Sequence, residues 1–251
     1  MNTKYPDLYT DYLAVTFGYA TATGLSDMLD SCINYDKFTR FLADGEWSSR
    51  DLWKQVKSTV REVASEDGVL IFDDTVEEKP WMDENELICW HYDHCRGRNI
   101  KGINMLNGLY HVDDVSIPIA FDLIRKPIRF SDLKTRREKR QSEVTKNELL
   151  RLMIDACSQL TADRNTITAI YTKRWNVEVY HKSLKSNAAL AKSPARRVNA
   201  QSNHIFASVI TVFKMEHLKI RTKMNHFALK TKLYLKAIRS ASDELQRLQA
   251  A

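Results

Sequence analysis

The sequence has 251 residues, of which 43% are hydrophobic and 28% are charged. These proportions exclude a disordered or fibrous chain and indicate a soluble globular protein with one domain or two small ones. The longest mainly apolar run, residues 205–213 with Ser208 and Thr211 within it, is far shorter than the roughly 20 residues of a bilayer span, so no membrane segment is expected. The first residues lack a secretory signal pattern, and four cysteines are too few for a disulfide scaffold, which together predict a cytoplasmic protein.

The net charge of +6 is distributed unevenly along the chain. Residues 160–251 contain 17 Lys and Arg against 5 Asp and Glu, whereas residues 1–159 have an acidic excess. A basic region of this kind favours a polyanionic partner, most simply nucleic acid. Solvated basic helix faces explain the excess equally well, so charge alone leaves both interpretations open.

The first third of the chain reads as helical. Residues 5–45 are a mixture of aromatic and polar residues with frequent breaks, typical of short helices. Ser48 followed by Asp51 is the pattern of a helix N-cap, and apolar residues then recur at helical spacing. These signals predict a helix over residues 49–66, closed by Gly68.

The middle of the chain has the features of a β-sheet. The apolar run at 69–72 leads into Asp73, Asp74 and Thr75, which predicts a buried strand over 69–73 that opens into a loop. Further strands are predicted at 87–92, 100–111 and 115–124, giving a meander of at least three strands with a turn at Asp113 and Asp114. Residues 125–140 contain eight Lys and Arg and are predicted to form a basic loop or a frayed helix start.

The last part of the chain reads as helical again. Thr145 and Glu148 form a capping-box pattern at the start of a helix over 146–158. From about residue 165 onward the pattern is helical, with breaks near 193–194 and 222–225. The order of elements is therefore helices, sheet, helices.

One helical segment carries a candidate site. Tyr171, Arg174, Glu178 and Lys185 project within an arc of about 60° on one helix face. A carboxylate between two basic side chains suits a metal ligand flanked by phosphate contacts. The alternative is an ordinary surface helix with weak Arg–Glu and Glu–Lys pairs, which the segment alone favours.

Asp73 strengthens the metal interpretation. A carboxylate at the end of a buried strand is costly unless a partner compensates its charge, and magnesium is a usual partner. Asp73 and Asp74 point to opposite faces, so only one of them faces a given site. A strand-end Asp with a helical Glu far along the chain is typical of a two-metal phosphoryl-transfer site. The alternative is a strand end capped by hydrogen bonds from loop N–H groups to either carboxylate.

The sequence resembles bacterial insertion-sequence transposases of the DDE class that carry the YREK signature. The YREK spacing is matched without a gap. The resemblance runs from about residue 10 to residue 240, and the segments that carry it are IFDDTVEEKPWMDEN (71–85), CWHYDHCRGRNIKGINMLN (89–107), DLKTRREKRQSEVTKNELL (132–150) and YTKRWNVEVYHKSLKSNAALAKSP (171–194).

The resemblance implies a ribonuclease-H-like core that uses two metal ions, Mg²⁺ or Mn²⁺, to cut DNA at transposon ends and join it to a target. Asp73 matches the first catalytic Asp and Glu178 the catalytic Glu, both as metal ligands. Tyr171, Arg174 and Lys185 match the supporting residues near the transposon-end phosphates.

The sequence departs from the family pattern at the second catalytic Asp. That Asp follows a fourth strand, but here the helix over 146–158 leads within a dozen residues into the YREK helix. Asp163 is rejected as a substitute because no apolar strand precedes it. The simplest explanation is an internal deletion near Gln159, which predicts a DNA transposase inactive as this shortened chain. The alternative is a non-catalytic DNA-binding remnant.

The predicted fold class is α+β (α/β), a truncated ribonuclease-H-like core with a three-stranded meander flanked by helices. The predicted regions are an N-terminal helical part (1–66), the first half of the core (67–159) and a helical part with the YREK helix (160–251). Strand 69–73 is expected at the sheet edge, which favours a homodimer. The expected partners are transposon-end and target DNA, with no membrane and no small-molecule substrate, in a nucleoid-associated bacterial protein.

Other candidate residues are weaker. Cys89, His91, His94 and Cys95 lack the paired spacing of structural zinc ligands. The segment 125–140 is an equally balanced choice between a DNA contact and a solvated loop. A last group has no carboxylate or cysteine at useful spacing and is predicted to serve packing or the surface: His204, His217 and His226.

Overall fold

The computed structural model describes residues 4–93, 96–133, 136–160 and 175–250. In the described residues four helices precede the strands and four follow them, as the sequence indicates, and the strands form a four-stranded and a two-stranded antiparallel sheet. The helices are α1 (Lys4–Val15), α2 (Ala22–Met28), α3 (Tyr35–Asp44), α4 (Ser49–Val63), α5 (Lys146–Leu160), α6 (Trp175–Asn187), α7 (Val198–Thr222) and α8 (His226–Ala250), with a 3-10 turn at Leu190–Lys192. The strands are β1 (Val69–Glu78), β2 (Cys89–Asp93), β3 (Arg98–Val112), β4 (Val115–Leu123), β5 (Ile128–Asp132) and β6 (Arg137–Gln141).

The predicted N-cap at Ser48 and the predicted capping box at Thr145 are both confirmed, and both have the bonds of a capping box. The Asp51 carboxylate accepts hydrogen bonds from the backbone N–H and the hydroxyl of Ser48 at the start of α4. Thr145 and Glu148 exchange reciprocal bonds at the start of α5, with Thr145 N donating to Glu148 Oε2 at 2.8 Å. Each box satisfies N–H groups that the first helical turn leaves without partners.

The prediction that Gly68 closes α4 is wrong. The helix ends at Val63, with Ala64 already in extended conformation. Gly68 lies instead beneath the ring of Tyr110, where an added Cβ would sit 2.1 Å from the Tyr110 hydroxyl oxygen. A larger residue at position 68 would therefore displace the Tyr110 side chain of β3.

The longest strand organises the main sheet. β3 pairs antiparallel with β1 along one side, and with β4 and then β2 along its other side. Four strands are therefore described where the sequence predicted a three-stranded meander, because β3 is long enough to hold two short strands end to end. Among the described residues β1 pairs only with β3, in agreement with its expected edge position.

Strand β1 is longer than predicted. It continues to Glu78, paired with Gly102, so that Asp73 lies in the middle of the strand and not at its end. The reason is the length of β3, which offers backbone partners to all ten residues of β1. The polar residues after 72 predict a loop, and that prediction is wrong.

Residues 128–141 form a separate hairpin, and the prediction of a basic loop or helix start is wrong. β5 pairs antiparallel with β6, from Ile128 opposite Gln141 to Asp132 opposite Arg137. Cross-strand ion pairs offset part of the positive charge, namely Lys139 with Asp132 and Arg129 with Glu138. Such pairs stabilise a strand pairing that the basic composition alone disfavours.

The helices bury apolar residues against the sheet and against one another. One core cluster joins α4, the four-stranded sheet, α5, α6 and α7, and a second joins α1, α2, α3 and α7. The predicted helix breaks are confirmed, since α7 begins at Val198 and Lys223 adopts a left-handed conformation between α7 and α8. Within the described ranges no helix is both long and apolar enough to cross a membrane.

Candidate functional site between the first strand and helix α6

Helix α6 packs across one face of the sheet and makes polar contacts with β3 and β1. Asn176 Nδ2 donates to His111 Nε2 at 3.0 Å, and Asn107 Nδ2 donates to His181 Nε2 at 3.1 Å. Further along the helix, Lys185 Nζ donates to the Val76 carbonyl at 3.1 Å. These contacts show that α6 and β1 run in the same direction.

The register of the sheet fixes the direction of Asp73. Asp73 is the partner of Asn107 in the β1–β3 pair. Directly opposite residues of an antiparallel pair project from the same face of the sheet. Because Asn107 contacts His181 of α6, Asp73 projects from the face that α6 covers.

Asp74 points the other way. Side chains alternate along a strand, and the Asp74 carboxylate lies 2.7 Å from Lys146 Nζ at the start of α5. This ion pair stands on the opposite side of the sheet from α6. The sequence left open which of the two aspartates faces the site, and it is Asp73 that shares a face with α6.

Glu178 lies on the first turns of α6. The preceding contact, from Asn176, reaches the residue opposite Val69, and the following contact, from His181, reaches the residue opposite Asp73. Glu178 is therefore on the part of α6 that spans the segment 69–73 of β1. It is about 20° around the helix from Lys185, and its side chain is exposed.

Lys185 is already engaged with β1. Its ammonium group binds the Val76 carbonyl and lies close enough to Glu77 to counteract the shift of that carboxyl. Burial raises the pKa of Glu77, and the positive charges of Lys185 and Lys79 oppose that rise. Lys185 thus anchors the end of α6 beside the edge of the sheet.

The remaining predicted site residues lie outside the part of the chain that the structure describes. Tyr171, Arg174 and Asp163 lie outside the described residues, so a continuous helix over 171–185 stays a prediction. The described part of that helix begins at Trp175 and is unbroken through Lys185.

A complete metal-binding cluster is not present in the part of the chain that the structure describes. No group of three or more His, Cys, Asp or Glu side chains there is arranged to hold a metal ion. The two carboxylates on facing elements, Asp73 and Glu178, are oxygen donors of the type that Mg²⁺ and Mn²⁺ prefer. Their chemistry fits a divalent ion, with fewer donors than a two-metal site requires.

The candidate zinc residues form a buried pair. Cys89 Sγ lies 3.2 Å from His91 Nε2 on the inward face of β2. Burial raises the pKa of the Cys89 thiol to about 11, so the group stays a neutral thiol. His94 and Cys95 lie outside the described residues. The described pair, Cys89 and His91, packs between β2 and the core.

The sequence missed one polar cluster. His226, which was expected to have no carboxylate partner, has its Nε2 atom 2.7 Å from Glu216 Oε2 and its Nδ1 atom 2.7 Å from Ser183 Oγ. The cluster joins the start of α8 to α6 and α7. The left-handed turn at Lys223 reverses the chain and brings residues ten positions apart together, which helical periodicity does not reveal.

His204 serves packing, in agreement with the sequence. It is fully buried in α7, 2.8 Å from the Tyr9 hydroxyl and 3.0 Å from the Ala189 carbonyl. Burial lowers its pKa to about 4. The ring is therefore neutral at physiological pH and joins α1 to α7.

Buried histidines make the fold sensitive to acid. Burial lowers the pKa of His181 and His204 to about 4 and that of His91 to about 3. Below pH 6.5 the unfolded chain binds protons at these positions and the folded chain does not, so stability falls as pH falls from 6.5 toward 4. Each histidine contributes a slope of up to about 1.4 kcal/mol per pH unit. The raised pKa of Glu77 and Asp122 has the opposite sign and offsets part of the loss near the acid end.

Urea unfolding at half-unit pH steps from 7 to 4.5 measures this slope. The variant His181→Asn is expected to lower the slope of unfolding free energy against pH by the contribution of about one proton. The matched control His217→Asn removes a histidine that is only partly buried and should leave the slope as in the parent protein. Equal slopes in all three proteins would contradict a neutral His181 in the folded state.

Comparison with known proteins identifies one relationship. A family model described as DDE superfamily endonuclease matches residues 6–170, about two thirds of the chain. No curated protein and no solved structure matches the chain significantly. The matched region includes Asp73 and ends before the segment 171–194, so Glu178 and the YREK spacing are not covered by the match.

Proposed function

Because the chain belongs to the DDE superfamily endonucleases, a family that acts on DNA with nuclease and transposase chemistry and generally uses divalent metals, we propose that it derives from a bacterial insertion-sequence transposase of the YREK class. The family match is the observation that carries the proposal. The uninterrupted Tyr171, Arg174, Glu178 and Lys185 spacing supports the finer class. The ancestral activity is cut-and-paste transposition by metal-dependent DNA strand cleavage and transfer.

Asp73 and Glu178 are the proposed metal ligands. The orientation of Asp73 toward α6, together with the position of Glu178 on the turns that span 69–73, supports this pairing. A divalent ion held there would supply charge stabilisation to the attacking and leaving oxygens of the phosphodiester. Tyr171, Arg174 and Lys185 would bind the transposon-end phosphates and hold the strand beside these carboxylates.

The chain in this form is proposed to lack strand cleavage and transfer. The helix α5 ends at Leu160, and the sequence leaves no room for the fourth strand and its catalytic Asp before the YREK segment. We attribute this to an internal deletion near Gln159. A site with two carboxylates instead of three lacks the ligand that bridges two metal ions.

The second candidate is a DNA-binding remnant whose basic surfaces remain functional. It is favoured by the exposed basic turn of the β5–β6 hairpin, where Arg136 and Arg137 have exposed side chains. Both candidates predict DNA binding. Both also predict no metal-dependent cleavage, and they differ in whether the basic surfaces still serve a function.

A nicking assay tests the loss of cleavage that both candidates share. The purified chain is incubated with supercoiled plasmid carrying the ends of its element, in Mg²⁺ or Mn²⁺, and the relaxed product is quantified. We expect no product above that of the Asp73→Ala variant. Metal-dependent nicking that Asp73→Ala abolishes would mean that the catalytic site is complete and that the deletion interpretation is wrong.

A further inference from the structure

The second half of α8 extends away from the rest of the protein. Its base is anchored by Leu229 and Lys230, which are buried, and by contact between the tilted rings of Tyr234 and Phe17, whose centroids lie 4.7 Å apart. Every residue from 231 to 249 is exposed. Beyond Tyr234 the helix therefore continues for several turns with no part of the described chain packed against it.

The exposed segment is not uniformly polar. Large apolar side chains stand in the solvent, including Ile238 at 45%, Leu245 at 56% and Leu248 at 68% exposure. An isolated apolar side chain on a surface is ordinary, but a continuous stripe of them marks an interaction site.

The stripe has heptad spacing. Alternating steps of four and three residues connect Tyr234, Ile238, Ala241, Leu245 and Leu248. This is the a/d pattern of a coiled coil, and it is narrower than the stripe of a helix that packs on a globular core. The pattern selects another helix as the covering element, because knobs-into-holes packing requires the same 3.5-residue period in the partner.

We propose that a second copy of this chain covers the stripe, so that α8 forms an antiparallel two-helix coiled coil between two protomers. The stripe is self-complementary in that arrangement. Antiparallel layers place Ile238 against Ala241 of the partner subunit and Tyr234 against Leu245 of the partner subunit, so that a large side chain meets a small one at the centre. A two-fold interface of this kind uses the same patch on both chains.

The charges on α8 oppose the parallel arrangement. The first half of the exposed segment carries Lys232, Lys236 and Arg239 and no acidic residue. The second half carries Asp243 and Glu244 against one basic residue, Arg247, and so has a net charge of −1. A parallel pair would align the basic halves of both helices. The antiparallel pair places each basic half beside the more acidic half of the other chain, which lowers the repulsion.

Sedimentation velocity of the full chain without DNA tests the proposal over a concentration series. We expect a monomer–dimer equilibrium that Ile238→Lys and Leu245→Lys each weaken at least about tenfold, because a charge would be buried at the seam. Leu152→Lys is the matched control, since Leu152 on α5 is also exposed, at 61%, and should leave dimerisation unchanged. A monomer at all concentrations overturns the proposal, and so does a dimer that neither seam variant affects.

Cross-linking tests the orientation. The variant Gln249→Lys is treated with a short amine-reactive reagent and digested for mass spectrometry. Positions 232 and 249 are about 25 Å apart within one helix, but adjacent across an antiparallel pair. A cross-link between Lys232 and position 249 in the dimer fraction supports the arrangement. A cross-link of Lys232 to Lys232 of the partner subunit, without the first product, overturns it.

Discussion

Duplex DNA binding by this chain is expected to weaken about a hundredfold when monovalent salt is raised from 50 to 200 mM. Each phosphate that a basic side chain neutralises releases counterions, and roughly four such contacts give a decrease of this size. The basic turn of the β5–β6 hairpin and the basic C-terminal third provide the side chains. Fluorescence anisotropy with a labelled duplex at a series of salt concentrations measures the slope.

Two double variants separate a local DNA contact from net charge. Arg136→Ala with Arg137→Ala removes two charges from the hairpin turn and should reduce the salt slope by about two. Lys57→Ala with Arg61→Ala removes two exposed charges from α4 and should change the slope little. A salt-independent affinity, or the same loss in both variants, would show that the hairpin is not the contact.

Substitution of Gly102 by alanine is expected to destabilise the protein by about 3 kcal/mol. Gly102 is the residue of β3 that pairs with Glu78 of β1 on one side and with Cys89 of β2 on the other. An added Cβ would lie 2.2 Å from the Glu77 carbonyl oxygen, a backbone atom that cannot move without opening the pair.

Urea unfolding of Gly102→Ala measures this loss, with Gly18→Ala as the matched control. A Cβ on Gly18 meets nothing within 4 Å, so that variant should stay within about 0.5 kcal/mol of the parent or be slightly more stable. If both variants unfold at the same urea concentration, the close β1–β3 approach at Glu77 is incorrect.

The family resemblance and the register of the sheet point to Asp73 independently. The resemblance selected Asp73 from its local context, without reference to any contact. The register places Asp73 opposite Asn107 and so on the α6 side, and it pairs Asp74 with Lys146 on the other side. The contacts of α6 therefore favour Asp73 over Asp74 as the residue of the site, a choice that the sequence at 73–74 does not decide.

The sequence of α8 contains a heptad pattern of apolar residues among several basic residues. Lys232, Lys236 and Arg239 made the segment look like part of a basic DNA-binding region. The heptad steps from Tyr234 to Leu248 indicate an interaction site because the structure leaves that half of the helix exposed. The same residues in a buried helix would only be core.

Local patterns determined much of this protein without reference to its fold. Capping boxes at Ser48 and Thr145 located the starts of α4 and α5, because the bonds involved join residues three apart. Apolar runs located β1 to β4, and Asp113 with its left-handed conformation marks the predicted turn before β4. Such features depend on near neighbours in the chain and can therefore be predicted from the sequence.

Tertiary structure alone decided the length of β1, the pairing of both β2 and β4 along one side of β3, the β5–β6 hairpin and the Glu216–His226 pair. Each depends on a partner supplied by a distant segment or by a reversal of the chain. Polar residues such as Asp74 and Glu78 remain in a strand because β3 satisfies their backbone groups. That partner, and not the local polarity, fixes where β1 ends and so holds Asp73 in mid-strand facing α6.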